Sequence, residues 1–361
     1  MKAAILRAPK QAMTIEDVDL DGPRADEVRV RVVASGLCHS DYHVISGDFP
    51  SPFPIVLGHE ASGIVVAVGR DVHGFKPGDA VVSCVSMYCG HCRDCQSGHN
   101  YVCGHKPVRP AGEGAFRITQ NGENIHQYCE LGGFAEEIVV HQTGVTKLPE
   151  GMPLDLAALL GCAVLTGVGA ATEAAQVRPG STVVVIGCGG VGLNVIQGAK
   201  LSGAARIIAV DTNPAKFALA RQFGATDCVP GGAGAVETVQ ELTKGGADYA
   251  FEVIGVPAAQ KQAFQMLRRR GKLVLVGLAP VGSSLDVSSV IIVAREVQVI
   301  GSLMGSAPFQ MAIPAYAQLY LDGKLQLDPL VSQRIRLEDI NRGYEQLIAG
   351  ETARSVIVFD S

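Results

Sequence analysis

Short runs in which apolar and polar residues alternate occupy much of the first 140 residues and predict β-strands. These runs cover residues 2–6, 27–33, 61–68, 80–84 and 132–140. Turn residues such as glycine, proline and aspartate separate them. Several short strands joined by regular turns predict a small β-barrel. Residues 104–131 have no strong periodicity, and we expect them to be irregular.

From about residue 164 the pattern changes to continuous apolar strands that alternate with alanine- and glycine-rich helices. Strands are predicted at residues 182–186, 206–210, 227–229, 249–254, 272–276 and 297–300. This alternation is typical of a parallel sheet with helices on both faces. We therefore predict an α/β protein with a complete doubly wound, six-stranded parallel sheet. Helices near 309–321 and 337–348 and a strand at 355–359 indicate a return to the first domain.

Length, charge and composition narrow the class of protein. A chain of 361 residues suggests two domains, each large enough to bury its own core. The net charge is −5, and the basic run is only Arg268-Arg269-Arg270, so nucleic acid is not expected as a partner. Apolar residues make up 47% of the chain, yet no glycine-free apolar stretch is long enough to span a membrane. Without a secretory signal, and with cysteines at metal spacing, we expect a reduced, cytoplasmic setting.

Residues 36–43 combine a thiol, a hydroxyl and two imidazoles in eight positions, and a second histidine motif follows. Cys38 and Ser40 lie in the first segment, and His59 with Glu60 forms the second. A thiolate and an imidazole from separate segments suit zinc, which keeps one coordination position open when it is catalytic. Taken singly, a buried apolar thiol at Cys38 or a core histidine at His59 would be the commoner situation.

Four cysteines at close spacing indicate a second metal site. The pattern is Cys89-x2-Cys92-x2-Cys95-x7-Cys103. Four thiolates can close a tetrahedron around one zinc ion and leave no position for a substrate. An iron–sulfur cluster is the alternative, but the bacterial ferredoxin pattern has a shorter last gap followed by proline. Here the last gap is seven residues and Gly104 follows, so we predict a structural zinc lobe over residues 89–103.

A glycine-rich turn follows the predicted strand at 182–186 and precedes a helix that runs to about residue 201. The glycines are Gly187, Gly189, Gly190 and Gly192, and the next strand ends in Asp211. Glycines let the backbone approach a pyrophosphate at a helix N-terminus, where free N–H groups favour anions. Asp211 would accept hydrogen bonds from an adenosine ribose and repel a 2′-phosphate, which favours NAD over NADP. The alternative role for Asp211 is a cap of the following helix.

These residues together resemble the zinc-dependent medium-chain alcohol dehydrogenases, of the medium-chain dehydrogenase/reductase superfamily, over nearly the whole chain. The matching motifs are Gly36-Leu37-Cys38-His39-Ser40-Asp41, Gly58-His59-Glu60, the four-cysteine lobe, Gly161-Cys162, the segment from Gly187 to Gly192 with Asp211, and Gly350-Glu351-Thr352-Ala353-Arg354-Ser355. The resemblance implies a GroES-like barrel domain over residues 1–163, a Rossmann domain over 164–303 and a return to the first domain over 304–361. It also implies an active site in the cleft between the domains.

The resemblance further implies two zinc ions per chain. The ligands of the catalytic ion would be Cys38, His59 and Cys162, and Cys89, Cys92, Cys95 and Cys103 would hold the structural ion. Glu60 matches an acid behind the metal that can approach it transiently. Asp41 matches the carboxylate that orients the ligand histidine, a role expected on physical grounds as well. Ser40 matches the hydroxyl that takes the alcohol proton, and His43 the imidazole that hands it to solvent.

The cofactor contacts follow from the same resemblance. His39 and Arg354 match positions that face the cofactor phosphates, and Lys216 matches a residue near the adenosine ribose. Thr166 and Val191 would flank the nicotinamide, and Val276 is a further expected contact.

The implied reaction is the reversible oxidation of primary or aromatic alcohols to aldehydes, with hydride transfer to NAD. Zinc would act as a Lewis acid that makes the bound alcohol more acidic. Phe49 and the small residue Val85 would line opposite walls of the substrate site. The alternatives are a secondary-alcohol or polyol dehydrogenase, a formaldehyde-type enzyme that acts on a thiol adduct, and a non-catalytic relative that binds NAD.

The last strand of the parallel sheet also predicts an oligomer. Residues 297–300 form an apolar edge, and Leu303 and Met304 prolong it. An exposed apolar edge promotes aggregation, so pairing with a two-fold mate predicts a homodimer, which in some bacterial relatives goes on to a tetramer. In the alternative arrangement, the chain's own C-terminal segment covers this edge.

Overall fold

The computed structural model of the chain describes residues 1–109 and 116–360. Its strands are β1 (Lys2–Leu6), β2 (Thr14–Asp17), β3 (Asp19–Leu20), β4 (Glu27–Gly36), β5 (Ile55–Val56), β6 (Ala61–Val68), β7 (Ala80–Ser83), β8 (Ile118–Gln120), β9 (Glu123–Gln127), β10 (Glu137–His141), β11 (Val145–Lys147), β12 (Thr182–Ile186), β13 (Arg206–Asp211), β14 (Asp227–Pro230), β15 (Ala247–Glu252), β16 (Leu267–Leu275), β17 (Gln298–Gly301), β18 (Val331–Ile335) and β19 (Arg354–Val358). Its α-helices are α1 (His39–Ser46), α2 (Arg93–Gln96), α3 (Leu154–Ala157), α4 (Ala163–Gly169), α5 (Gly190–Leu201), α6 (Phe217–Phe223), α7 (Ala235–Thr243), α8 (Pro257–Gln265), α9 (Ser289–Arg295), α10 (Phe309–Leu321) and α11 (Ile340–Ile348).

The chain folds as two compact units. The first contains Met1–Cys162 and Pro308–Ser361, and the second contains Ala163–Ala307. The domain boundaries predicted from the sequence lie after residues 163 and 303.

The first unit is built on two antiparallel-rich sheets that share an apolar interior. One sheet has the order β2-β1-β5-β9-β8-β3, and the other has the order β11-β7-β6-β4-β19-β18 with β10 also on β4. β4 is its longest strand and pairs with β6, β10 and β19. The C-terminal strand β19 pairs antiparallel with β4, with Val356 opposite Gly36, so the end of the chain packs beside the first predicted metal ligand.

Two predictions for this unit were wrong in detail. The strand predicted at 132–140 begins only at Glu137, because Gly132 has a φ of +66° and the backbone turns there. Residues 104–131 are not irregular throughout: β8 and β9 form a hairpin in which Ile118 lies opposite Ile125. These strands are three and five residues long, too short to show a clear alternation in the sequence. Residues 110–115 of the same region lie outside the described residues.

The second unit is a parallel sheet, and it confirms the predicted doubly wound fold. The strand order is β14-β13-β12-β15-β16-β17. Numbered from β12, this is the order 3-2-1-4-5-6 of a dinucleotide-binding sheet. β12 lies between β13 and β15, with Ile186 opposite both Val210 and Glu252. The carboxyl ends of these three strands therefore bring the glycine-rich turn, Asp211 and Glu252 to one edge of the sheet.

Glycines on α4 and α5 explain why the apolar segment that follows β12 contains so many glycines. A Cβ added at Gly167 in α4 would lie 2.4 Å from the Cβ of Asn194 in α5. One added at Gly198 in α5 would lie 2.9 Å from Ala171. These glycines let the two helices pack closely, so the segment belongs to the protein core.

Among the described residues, no single helix has the length and apolar composition needed to span a membrane. A bent pair of helical segments, Leu154–Gly161 and Ala163–Ala174, meets that requirement by length and composition only, and most of its residues are buried inside the protein.

Candidate functional site

Four side chains from distant parts of the first unit converge on one buried point. Ligand atoms of Cys38, His59, Glu60 and Cys162 all lie within 4.8 Å of one another. Cys38 lies between β4 and α1, immediately before the first residue of the helix. His59 follows Gly58, whose φ is +91° and whose added Cβ would meet Phe134 at 2.7 Å, so the chain needs glycine there to aim the histidine inward.

Asp41 holds the histidine of this cluster. Its Oδ1 accepts hydrogen bonds from His59 Nδ1 and from the Gly58 backbone N–H, each at 3.0 Å, and Asp41 is fully buried. The bond occupies Nδ1 and leaves Nε2 as the ring nitrogen available to a ligand. A carboxylate in this position fixes the orientation of a metal-ligating histidine.

The buried groups of the cluster shift one another's pKa values. Hydrogen bonding with Cys162 outweighs burial and, with the charge of His59, holds the pKa of the Cys38 thiol well below its usual value. Burial alone would lower the pKa of His59, but the charges of Asp41 and Cys38 raise it well above normal. Burial raises the pKa of Glu60 to about 8, and its Oε2 has no hydrogen-bond partner among the described residues.

This donor set fits zinc. Two thiols and an imidazole are ligands that zinc prefers, and three protein ligands leave a fourth position open. A buried carboxylate oxygen without a partner, as in Glu60, is the group that a nearby cation would stabilise.

Arg354 lies behind this cluster. Its Nη1 donates to the Leu37 carbonyl at 2.9 Å and to Glu60 Oε1 at 3.2 Å, and the residue is 4% exposed. The guanidinium therefore supplies a countercharge to Glu60 and fixes the residue before Cys38. A contact of Arg354 with cofactor phosphates remains a proposal.

The four cysteines of the lobe at residues 89–103 form a second cluster whose geometry fits one zinc ion. Their neighbouring sulfur atoms lie 3.5 Å (Cys92–Cys95), 3.6 Å (Cys89–Cys103), 3.8 Å (Cys92–Cys103) and 3.9 Å (Cys89–Cys95) apart. A regular tetrahedron with Zn–S bonds of about 2.3 Å has edges of about 3.8 Å. The sulfurs thus already stand at the spacing of a closed, four-thiolate site.

The two residues predicted to move a proton lie on α1, the helix that follows Cys38. Ser40 Oγ is 3.7 Å from Cys38 Sγ, which puts its hydroxyl beside the metal cluster. His43 lies one turn later, stacked on Phe49 with ring centroids 4.6 Å apart, and its Nδ1 is 3.5 Å from Asp48 Oδ2. Its side chain is 24% exposed, so the helix runs from the buried cluster towards solvent.

Tyr128 is a site residue that sequence reasoning missed. Its ring meets the ring of His59 edge-on, with centroids 5.9 Å apart, and its hydroxyl donates to the Ser40 carbonyl at 3.4 Å. The following residues, Cys129 and Glu130, have φ values of +53° and +60°. This tight turn directs the aromatic ring to the cluster, and no periodic pattern marks it in the sequence. Val85, predicted as a wall of the substrate site, packs against the apolar core of the barrel.

The glycine-rich turn of the second unit has the backbone of a phosphate-binding loop. Gly187 has a φ of +103°, and its N–H donates to the Val210 carbonyl at 2.8 Å. A Cβ at Gly192 would lie 1.7 Å from the Gly187 carbonyl oxygen, whereas one at Gly189 would meet nothing within 4 Å. The first glycine makes the turn, the second leaves space above it and the third permits close packing, which are the roles expected for binding a pyrophosphate.

Asp211 is tied to this turn at the end of β13. Its Oδ2 accepts from the Cys188 N–H at 2.7 Å and from Lys216 Nζ at 3.4 Å, and its Oδ1 accepts from the Asn213 N–H at 2.8 Å. The side chain that caps the following turn is that of Asn213, which accepts from the Ala215 N–H at 3.0 Å. The alternative role of Asp211 as that cap is therefore filled by another residue.

The remaining predicted cofactor residues lie on α1, α4 and α5 and just after β16. Thr166 Oγ1 is 3.8 Å from Met304 Sδ, and Val191 is in the first turn of α5. The Val276 N–H donates to the Glu252 carbonyl at 2.9 Å, just past β16. His39 is the exposed first residue of α1 in the other unit. Their roles in cofactor binding stay predictions.

Comparison with known proteins identifies the family. Residues 24–150 match the model of the alcohol dehydrogenase GroES-like domain, and residues 190–321 match that of a zinc-binding dehydrogenase. The chain is similar to an alcohol dehydrogenase zinc-binding domain protein from Burkholderia ambifaria, with 34% identity, a TM-score of 0.94 and coverage of 100% of this chain and 99% of that one. It is also similar to a benzyl alcohol dehydrogenase from Acinetobacter calcoaceticus, with 32% identity, a TM-score of 0.93 and 99% of each chain covered.

A third neighbour comes from Sinorhizobium meliloti 1021. It is assigned as a zinc-binding dehydrogenase and was solved with bound NADP; its identity is 27%, its TM-score 0.83 and its coverage 99% of each chain. These matches confirm the predicted GroES-like domain, the Rossmann-like parallel sheet, and the use of zinc and a nicotinamide cofactor. The chain is therefore an oxidoreductase of the zinc-dependent medium-chain alcohol dehydrogenase family.

Proposed function

We propose that the protein oxidises primary or aromatic alcohols to aldehydes, reversibly, with hydride transfer to NAD. The observation that carries this proposal is the buried cluster of Cys38, His59 and Cys162, with Glu60 behind it and His59 oriented by Asp41. Zinc held there would supply a Lewis acid that lowers the pKa of an alcohol hydroxyl.

The side chains of α1 provide the route for the proton. Ser40 Oγ, which lies beside the metal cluster, accepts the proton of the alcohol hydroxyl while its own hydroxyl proton passes on to the imidazole of His43. The imidazole of His43 then delivers it to solvent, and stacking on Phe49 holds its ring in place. Tyr128 fixes the Ser40 backbone through its hydroxyl and covers one edge of His59.

The number of zinc ions bound per chain is the first test of this proposal. We expect two zinc ions per chain, with the four-cysteine ion retained longer because its coordination is closed. A mild chelator should therefore abolish activity while the thermal unfolding midpoint changes little. Metal analysis that finds one zinc per fully active chain would contradict the two-site assignment.

NAD is proposed as the cofactor because Asp211 ends β13 beside the glycine-rich turn, and an acid at that position is expected to bind a ribose hydroxyl. The Sinorhizobium neighbour binds NADP, so NADP is the alternative. We expect the wild type to use NAD and to discriminate against NADP, and Asp211→Gly to reduce that discrimination. The ratio of kcat/KM for the two cofactors measures this effect. A wild-type enzyme that uses both equally well would contradict the role of Asp211.

The substrate class rests on the neighbour that is a benzyl alcohol dehydrogenase. A panel read by NADH absorbance separates the candidates: benzyl alcohol, a linear primary alcohol, a secondary alcohol, a polyol, and formaldehyde with and without a thiol. We expect the highest kcat/KM with benzyl or linear primary alcohols. A higher value with the polyol or secondary alcohol, or a strict need for thiol, would favour the corresponding alternative.

A homodimer is proposed through the edge of the parallel sheet. β17 is the last strand in the order described for that sheet. Val299 on this strand is 37% exposed, Leu303 beyond it 46%, and Val290 and Val293 on α9 73% and 78%. Such a set of apolar side chains marks an interaction surface. Light scattering should give the dimer mass or, if a second interface forms, the tetramer mass; a monomer at micromolar concentration would contradict the proposal.

A reducing compartment such as the cytoplasm is proposed because all ten cysteines are free thiols. Six of them belong to the two proposed zinc sites, and zinc binds the thiolate rather than a disulfide. Oxidation with a mild disulfide-forming reagent should therefore release zinc, and pre-loading with zinc should protect the thiols.

A further inference from the structure

Two complementary polar atoms are buried beside the cluster without a hydrogen-bond partner among the described residues. One is the hydroxyl of Tyr344, on α11, and the other is Oδ2 of Asp41. Tyr344 is 4% exposed and Asp41 is fully buried. A phenol donates and a carboxylate accepts, so each can satisfy the other. Unsatisfied buried polar groups are costly and rare.

The packing of α11 explains how this tyrosine reaches the metal ligands. A Cβ at Gly343 would lie 2.8 Å from Leu37 Cδ2, so the helix rests directly on the residue before Cys38. The Tyr344 ring also contacts Phe134 edge-on, with centroids 6.2 Å apart, and Phe134 in turn stands against Gly58. The helix therefore contacts the segment of Cys38 directly and the segment of His59 through Phe134.

The electrostatics agree with a donor facing Asp41. Burial, and then the negative charge of Asp41, raise the pKa of the Tyr344 phenol well above its usual value, so the hydroxyl stays protonated. The other oxygen of Asp41, Oδ1, already accepts two N–H groups. A donor on Oδ2 would engage the second oxygen and stop the carboxylate from rotating.

We propose that Tyr344 is a positioning residue of the catalytic zinc site. Its hydroxyl donates to Asp41 Oδ2, and Asp41 in turn orients His59. This inference rests on the ligand set of the proposed function. Outer partners of metal ligands typically change metal affinity by about 10- to 100-fold, and a residue one step further out should act near the lower end.

The test uses Tyr344→Phe in the full chain, which removes only the hydroxyl. Zinc release to a chromophoric chelator is followed in wild type and variant. We expect about tenfold faster or more complete release of one zinc per chain, while the second, four-cysteine zinc is released as in wild type. Tyr316→Phe, which alters another buried tyrosine of the same unit, is the matched control and should leave both ions unaffected.

A double-mutant cycle with Asp41→Asn separates positioning from general loosening of the core. If Tyr344 acts through Asp41, the tyrosine substitution should have little further effect on zinc release in a chain that already carries Asp41→Asn. Equal effects in both backgrounds, or wild-type zinc release from Tyr344→Phe, would overturn the inference. A wild-type chain that binds only one zinc would instead overturn the ligand assignment of the proposed function.

Discussion

Adding a single methyl group at Gly192 should strongly weaken cofactor binding. In Gly192→Ala the new Cβ would stand 1.7 Å from the Gly187 carbonyl oxygen, and an ordinary contact begins near 3.4 Å. The turn or the start of α5 must therefore move by well over 1 Å. Two hydrogen bonds anchor the turn against such a movement, from Gly187 N–H to Val210 and from Cys188 N–H to Asp211.

The size of the loss in NAD affinity follows from the hydrogen bonds that this movement breaks. Hydrogen bonds to charged groups are each worth about 1.5–3 kcal/mol. Losing one of them to the pyrophosphate should raise the Kd for NAD by about 10- to 100-fold, since each 1.4 kcal/mol is about tenfold. The anchoring bonds are lost as well, so the unfolding free energy should also fall by about 1–3 kcal/mol.

Gly189→Ala is the matched comparison, because its Cβ would meet no protein atom within 4 Å. This variant should fold with wild-type stability and still bind NAD poorly, since its methyl group occupies the space of the pyrophosphate. The assays are isothermal titration with NAD and thermal unfolding of both variants without cofactor. If Gly192→Ala binds NAD within twofold of wild type and unfolds at the same temperature, the steric reasoning is wrong.

Three further predictions concern the first unit. His43→Gln should lower kcat/KM for alcohol oxidation by about tenfold or more, with zinc content unchanged; a variant as active as wild type would remove His43 from the proton route. Tyr128→Phe loses only the weak bond to Ser40, so kcat should fall by no more than about fivefold while KM for benzyl alcohol stays constant. Arg117→Met removes the two hydrogen bonds that Arg117 donates to the buried carboxylate of Glu27. The free energy of unfolding, measured in urea titrations, should therefore fall by about 3 kcal/mol. Arg117 holds the pKa of Glu27 below 4.5 against the effect of burial, so this loss should be full above pH 4.5 and shrink as the pH falls further.

The elements that the sequence predicted best are those defined by local patterns. The strand at 182–186 and the helix that ends at residue 201 have the predicted bounds. A run of β-branched residues, a glycine turn and a long helix follow one another there, and each signal is read within a few residues. The close spacing of the four cysteines likewise predicted the cluster that the structure contains.

The contacts that the sequence did not predict join residues far apart in the chain. Tyr128 donates to Ser40 across 88 positions, and Arg354 donates to Glu60 across 294. Neither contact leaves a periodic signal, because the partners lie on different elements and meet only after the sheets have formed. The hairpin of β8 and β9, which presents Tyr128, was missed because its strands are too short to show alternation.

The return of the chain to the first unit is part of the metal site as well as of the fold. β19 pairs with the end of β4, and this pairing brings Arg354 beneath Cys38. A Cβ at Gly36 would lie 2.4 Å from Glu60 Oε2, so glycine at the end of β4 is what allows this carboxylate to lie under the ligand segment. Burial raises the pKa of Glu60 to about 8, and the charge of Arg354 opposes that rise. A cation bound by Cys38 would favour the ionised form, and its loss the protonated one. β19 therefore supplies, through Arg354, a buried positive charge that faces the Glu60 carboxylate.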